Sequence, residues 1–136
     1  MIVDTKGMAS VIGKVIVVED DDLMQAVVVE ILSDLGGSCH AFVTADDALM
    51  SLLQSVEPPV LIVTDYTLPG QLDGREFALM VNKRWPAVPI VLTSGYGSEV
   101  VGELPGRMVF LQKPWSVDQM ANAVTNLIAA ESIPAS

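Results

Sequence analysis

Continuous apolar runs alternate along this chain with stretches whose apolar positions recur every three or four residues. Val15-Ile16-Val17-Val18, Val60-Leu61-Ile62-Val63, Ile90-Val91-Leu92 and Met108-Val109-Phe110-Leu111 are of the first kind. Runs this short and this continuous suit strands covered on both faces. The pattern predicts strands at 14–18, 39–43, 60–64, 89–93 and 108–111.

The intervening stretches predict helices, and their boundaries carry start and stop signals. Residues 23–35 read as a helix capped by Asp22 and stopped by Gly36-Gly37. Thr44-Ala45-Asp46-Asp47 is a capping-box variant ahead of a helix to about Ser55. Residues 74–84 place Phe77, Met80 and Val81 on one face, with Asp73 as cap and Pro86 beyond the end. Ser116 and Gln119 form another capping box, before a helix lined by Val117, Met120, Val124, Leu127 and Ile128.

Five strands separated by helices imply an α/β protein, a doubly wound parallel sheet with helices on both faces. Residues 1–13 lack a clear period and read as a flexible leader, 14–130 as one domain, and 131–136 as a tail. In such sheets ligands bind at the carboxyl ends of the strands, where strand order reverses.

Composition narrows the function classes. The chain has 136 residues, 51% hydrophobic and 18% charged, which suits one well-packed domain. No apolar stretch is long enough to span a membrane, and the N-terminus lacks the pattern of a secretory signal. One cysteine, Cys39, forms no intrachain disulfide and reads as a small hydrophobe in a strand. A cytoplasmic location follows as an expectation. The net charge of −10 argues against direct nucleic-acid contact.

The chemistry gathers at the strand ends. The first run ends in Glu19-Asp20-Asp21-Asp22, the third in Asp65, the fourth in Thr93-Ser94-Gly95 and the fifth in Gln112-Lys113-Pro114. Taken singly, each has an ordinary reading as helix start, turn or surface lysine. Their coincidence on one edge is the informative feature. Glu19, Asp20 and Asp65 supply the oxygen ligands that Mg2+ prefers, and the Thr67 carbonyl is a further candidate. Lys113 and Ser94 supply donors for a phosphoryl oxygen. Together they describe phosphoryl transfer to the Asp65 carboxylate.

Over residues 14–130 the chain resembles the receiver domain of two-component response regulators. The matching pieces are Val-Ile-Val-Val-Glu-Asp-Asp at 15–21, Val-Thr-Asp-Tyr-Thr-Leu-Pro-Gly at 63–70 with Asp73-Gly74, Pro-Ile-Val-Leu-Thr-Ser-Gly-Tyr at 89–96, and Phe-Leu-Gln-Lys-Pro-Trp at 110–115. The resemblance implies a flavodoxin-like fold with strand order 2-1-3-4-5. It implies Asp65 as phosphoacceptor, Glu19 and Asp20 as the metal pair, Lys113 as the phosphoryl contact and a cis Lys113–Pro114 bond. The donor would be a histidine kinase or histidine phosphotransfer protein. Ser94 is the expected switch hydroxyl, because it lies five positions after Pro89 and precedes Gly95. Thr93, its neighbour, would face a helix.

Three departures from the family pattern stand out. The loop after Asp65 is one residue longer than usual. The stretch between Ser94 and Lys113 leaves room for only one or two helical turns, around Ser98 to Leu104. The switch aromatic is Phe110, which cannot donate a hydroxyl hydrogen bond. The leading expectation is a stand-alone receiver that is not a turnover enzyme and signals through an unidentified downstream protein. One alternative is a magnesium-dependent aspartyl-phosphate phosphohydrolase, against which stands Thr67 where such enzymes carry a second Asp. The other is a phosphorylation-independent interaction module.

Overall fold

The computed structural model describes residues 11–132. The first ten residues of the expected leader, and 133–136 of the expected tail, lie outside the described residues. The elements follow one another as β1 (Gly13–Val18), α1 (Asp22–Asp34), β2 (Gly37–Phe42), α2 (Ala45–Gln54) and β3 (Leu61–Asp65). Then come α3 (Gly74–Arg84), β4 (Ile90–Ser94), α4 (Ser98–Val101), β5 (Met108–Gln112) and α5 (Val117–Ser132). All strand pairs are parallel and the sheet order is β2-β1-β3-β4-β5. The order reverses between β1 and β3, which is where a doubly wound sheet opens a crevice.

The continuous apolar runs are explained by two cores, one on each face. Val15, Val17, Leu61, Val63 and Val91 pack with α1 and α5, against Val28, Leu32, Met120 and Val124. Ile16, Val18, Ile62 and Ile90 pack with α2 and α3, against Ala48, Leu52, Phe77 and Val81. Each fully buried Leu, Ile or Val contributes roughly 1.5–3 kcal/mol. Alternation along each strand therefore divides the sequence between the two cores.

Local chemistry sets most boundaries as expected. Thr44 accepts from the Asp47 amide, and Asp73 and Glu76 complete a reciprocal capping box. Ser116 and Gln119 complete another. Four expectations need correction. Asp21, not Asp22, caps α1, because its side chain accepts from the Met24 amide. Met80 and Val117 are 46% and 57% exposed. Their faces of α3 and α5 turn away from the sheet, and Ala78 shares the buried face of α3 with Phe77 and Val81. Val11 is buried and its amide donates to the Leu35 carbonyl, and Gly13 opens β1. The last three residues of the expected leader therefore belong to the domain: Val11 is packed into the core, Ile12 faces solvent and Gly13 starts the strand. At the other end α5 runs to Ser132, beyond the expected limit of 130. The fourth helix is a single turn, Ser98–Val101, within the expected range. Leu104 lies beyond it and packs against the α2–α3 core.

Candidate functional site

Strand register brings the polar strand ends level. Val18 is paired with Thr64, Asp65 with Thr93, and Ser94 with Gln112. Glu19, Asp65, Ser94 and Lys113 therefore meet along one edge, where β1, β3, β4 and β5 end. Glu19 follows β1 directly and its amide donates to the Phe42 carbonyl. The Gln25 side-chain amide donates to the carbonyls of both Glu19 and Phe42, tying the start of α1 to this edge.

Lys113 is the centre of the arrangement. Its Nζ lies 3.2 Å from Glu19 Oε1 and 3.2 Å from Asp65 Oδ2. The Lys113 amide donates to the Ser94 carbonyl, which fixes the backbone behind it. The Lys113–Pro114 bond is cis, as the resemblance implies. The second oxygens of the two acids are also held. Asp65 Oδ1 accepts from the Tyr66 amide at 2.9 Å, and Glu19 Oε2 from the Asp21 amide at 3.1 Å.

Both acids are nearly buried, Glu19 at 4% and Asp65 at 7% exposure. Burial pushes the Glu19 carboxyl above its ordinary value, against the Asp21 amide and Lys113, with Asp65 adding repulsion. Burial likewise pushes Asp65 up, against Lys113 and the Tyr66 amide, with Asp20 adding repulsion. Lys113 is also raised: burial works against its charge, but attraction to Asp65 and Glu19 outweighs it. These directions agree. One ammonium is shared between two acids, so it gains from both while each receives only part of its charge.

Asp20 is exposed and completes the cluster. Glu19, Asp20 and Asp65 each offer a carboxylate oxygen, all within 4.8 Å of one another. Three carboxylates against one ammonium leave two negative charges uncompensated, the charge of one divalent cation. The donors are all hard oxygens, as Mg2+ prefers. The residues present fit that ion.

The other expected residues lie around this cluster. Ser94 is buried at the end of β4, and its Oγ accepts from the Tyr96 amide at 2.9 Å. Thr93 is buried beside it. Thr67 is exposed on the β3–α3 loop, beside a groove of about 510 Å³ that Tyr66, Leu68, Asp73, Tyr96 and Val100 also line. Tyr66 and Tyr96 meet edge to face across it, with ring centroids 6.0 Å apart. Phe110 is half-buried on β5, in register with Leu92.

Sequence reasoning missed Gly74 and Asp46. The Gly74 amide donates to the Tyr66 carbonyl, and a Cβ there would stand 1.8 Å from the Asp65 carbonyl oxygen. Only glycine allows α3 to start so close to the phosphoacceptor candidate. The signal was present in Asp73-Gly74, read there as part of a motif. Asp46 accepts from the amides of Gln71 and Leu72, a contact across 25 residues that no local pattern announces.

Comparison with known proteins agrees with this topology. The family model of the response regulator receiver domain matches residues 15–125. The chain is 32% identical over 110 residues to the nitrogen assimilation regulatory protein NtrX of Azorhizobium caulinodans, covering 78% of this chain and 24% of that one. It is 32% identical over 128 residues to the response regulator protein FleR of Pseudomonas aeruginosa, covering 89% and 25%. The chain thus spans about a quarter of the length of these relatives. Among solved structures, the receiver domain of NtrX from Brucella abortus superposes with a TM-score of 0.72 at 27% identity, covering 85% of this chain and 98% of that one. A response regulator receiver protein from Sinorhizobium medicae gives 0.80 at 23% identity, covering 89% and 98%, a likeness of fold. With sheet order, acidic cluster and paired lysine all in place, the chain belongs to the response regulator receiver domain family.

Proposed function

We propose that the chain accepts a phosphoryl group on Asp65 from a phosphohistidine of a histidine kinase or phosphotransfer protein, with Mg2+ as cofactor. The observation that carries this reading is Lys113 Nζ at 3.2 Å from Asp65 Oδ2, inside a three-carboxylate cluster on the ligand-binding edge. Glu19, Asp20, Asp65 and the Thr67 carbonyl would hold the ion. When bound it offsets negative charge on the acids and on the incoming phosphoryl oxygens.

The chain's own residues then have separate tasks. An Asp65 carboxylate oxygen forms the new P–O bond as the donor's P–N bond breaks, and the imidazole leaves with that electron pair. The Tyr66 amide fixes the carboxylate's rotation through Oδ1, leaving Oδ2 as the reacting oxygen. Lys113 stands beside Oδ2 and donates to a phosphoryl oxygen as negative charge gathers there. The Ser94 hydroxyl accepts from the Tyr96 amide, so its own hydrogen is available to a phosphoryl oxygen. Output then passes through contact with another protein. The net charge of −10, which disfavours nucleic-acid contact, belongs to these 136 residues. Relatives named as DNA-binding transcriptional regulators are about three and a half times as long.

The test is incubation with a small phosphodonor and Mg2+, read by intact mass. Wild-type protein gains one phosphoryl group and Asp65→Asn gains none; equal labelling of both refutes the assignment. Slow loss of the label, without steady turnover of phosphate monoesters, separates a receiver from a phosphohydrolase.

A further inference from the structure

The β3–α3 loop is pinned from outside by an acid on another helix. Its base is closed by the chain itself, because the Gly74 amide donates to the Tyr66 carbonyl at 2.8 Å. Tyr66 is fixed in turn, its amide donating to the Thr93 carbonyl at 2.8 Å. The far side of the loop is held by Asp46, in the first turn of α2. Asp46 Oδ2 accepts from the Gln71 amide and Oδ1 from the Leu72 amide, both at 3.1 Å. Gly70 passes directly over the same carboxylate: its φ is +99°, and a Cβ there would lie 3.0 Å from Asp46 Oδ1. Leu68 and Leu72 pack beneath, against the α2–α3 core.

We propose that Asp46 is a positioning residue for the phosphoacceptor site, holding the β3–α3 loop in the shape that presents Thr67 to the cation. Thr67 lies between the two anchors, one residue after Tyr66 and four before Gln71. With both fixed, its carbonyl is restrained without any contact of its own to Asp46. The loop runs over residues 66–73, and one of that length closed only at its base has more conformations to lose than one that is also held at its far side. A carboxylate suits the task because it accepts two neighbouring amides at once, and its charge strengthens both bonds. It also sits where the α2 dipole favours it. The inference rests on the reading of Asp65 and its neighbours as a Mg2+-dependent phosphoacceptor site.

The test uses the full chain and two readouts, amide hydrogen exchange at Gln71 and Leu72 and the midpoint of a Mg2+ titration followed by amide chemical shifts. Residues that orient metal ligands change metal affinity by roughly 10–100-fold when removed. One carbonyl among several ligands belongs at the low end, so Asp46→Ala should raise the midpoint about tenfold and speed exchange at both amides. Asp46→Asn keeps one acceptor oxygen and should fall between Asp46→Ala and wild type, a graded rescue that a general loss of stability does not produce. Asp47→Ala removes a neighbouring exposed first-turn acid that makes no hydrogen bond to the loop among the described residues, and should leave both readouts at wild-type values. Faster exchange with an unchanged Mg2+ midpoint would reduce Asp46 to a structural anchor and overturn the proposal. So would equal shifts in Asp46→Ala and Asp47→Ala, or unchanged exchange in Asp46→Ala. Labelling by phosphodonor is scored separately. A wild-type protein that binds Mg2+ but takes no phosphoryl group refutes the phosphoacceptor reading and leaves the midpoints to decide the clamp.

Discussion

Replacing the phosphoacceptor candidate should make the metal-free protein more stable. Asp65→Asn removes a charge that the fold carries at a cost. The carboxyl is 7% exposed, and burial outweighs the help it receives from Lys113 and the Tyr66 amide. An asparagine oxygen keeps the hydrogen bond from the Tyr66 amide. Lys113 keeps its 3.2 Å partner at Glu19. What is lost is the Lys113–Asp65 pair; what is gained is relief from burying the charge and from repulsion by Asp20 and Glu19. Because the folded-state pKa is raised, the second exceeds the first, and the gain should fall in the range of about 0.5–2 kcal/mol usual for single stabilising substitutions.

The sign of the pH dependence follows. A carboxyl with a raised folded-state pKa binds more protons folded than unfolded. Its contribution is fully present below the ordinary value of 3.8 and is lost as pH rises through the folded value. Glu19 adds the same slope above its ordinary 4.5. Urea unfolding in EDTA should therefore show wild type losing stability between pH 4 and neutrality more steeply than Asp65→Asn, with the variant the more stable of the two at pH 7.5. Saturating Mg2+ should reverse the order. At a hundredfold excess over Kd it adds about 2.7 kcal/mol to wild type, and less to the variant, which has lost a ligand. Parallel pH profiles, or a variant less stable than wild type in EDTA, would refute the balance of terms drawn from the structure.

Other outcomes follow from single contacts. Gly74→Ala should cost more than about 3 kcal/mol in urea unfolding, because the Cβ–O approach of 1.8 Å is against backbone and has no flexible partner to yield. Lys113→Met should slow labelling by a small phosphodonor by about 100-fold or more at saturating Mg2+, while Asp65 remains the labelled residue by peptide mapping. Asp73→Ala should cost roughly 1 kcal/mol of thermal stability by breaking the α3 capping box, with the Mg2+ midpoint moving little. Tyr96→Ala should shorten the lifetime of the phosphorylated form if the ring shields the site from water; an unchanged decay rate removes Tyr96 from that role.

The strands and the site acids were legible because their causes are local. An apolar run covered on both faces has a simple pattern, and a carboxylate at its end is visible in the same line of text. The caps at Thr44, Asp73 and Ser116 were legible for the same reason, since each bond spans three residues. Asp21 and Asp22 show the limit: in a run of four acids, composition does not say which one turns its side chain toward the Met24 amide. Met80 and Val117 mark another, because helical spacing gives a stripe but not its edges. Asp46 and Val11 were illegible in principle, since their partners, the Gln71 amide and the Leu35 carbonyl, are 25 and 24 residues distant.

The arrangement also explains where a phosphoryl group would deliver its energy. Phosphorylation exchanges the single charge of Asp65 for a group of about −1.5 to −2, in a cluster that already carries more acid than base. Beyond the metal, the expected donors at the edge are Lys113 and the Ser94 hydroxyl, one on each side of the chain that links β4 to β5. Lys113 is already committed to two acids and is held by the Ser94 carbonyl. Ser94 is held by one bond from the Tyr96 amide, at the start of a segment whose helix is a single turn. If Asp65 takes a phosphoryl group as proposed, drawing the hydroxyl toward it would pull on Tyr96, and with it on the groove it shares with Tyr66 and Thr67. The far end of that segment is tied to α3, where Arg75 donates to the Glu103 carbonyl. On the proposed reading, a charge change at Asp65 would load the peptide between Ser94 and Glu103, which is held at both ends and contains a helix of a single turn.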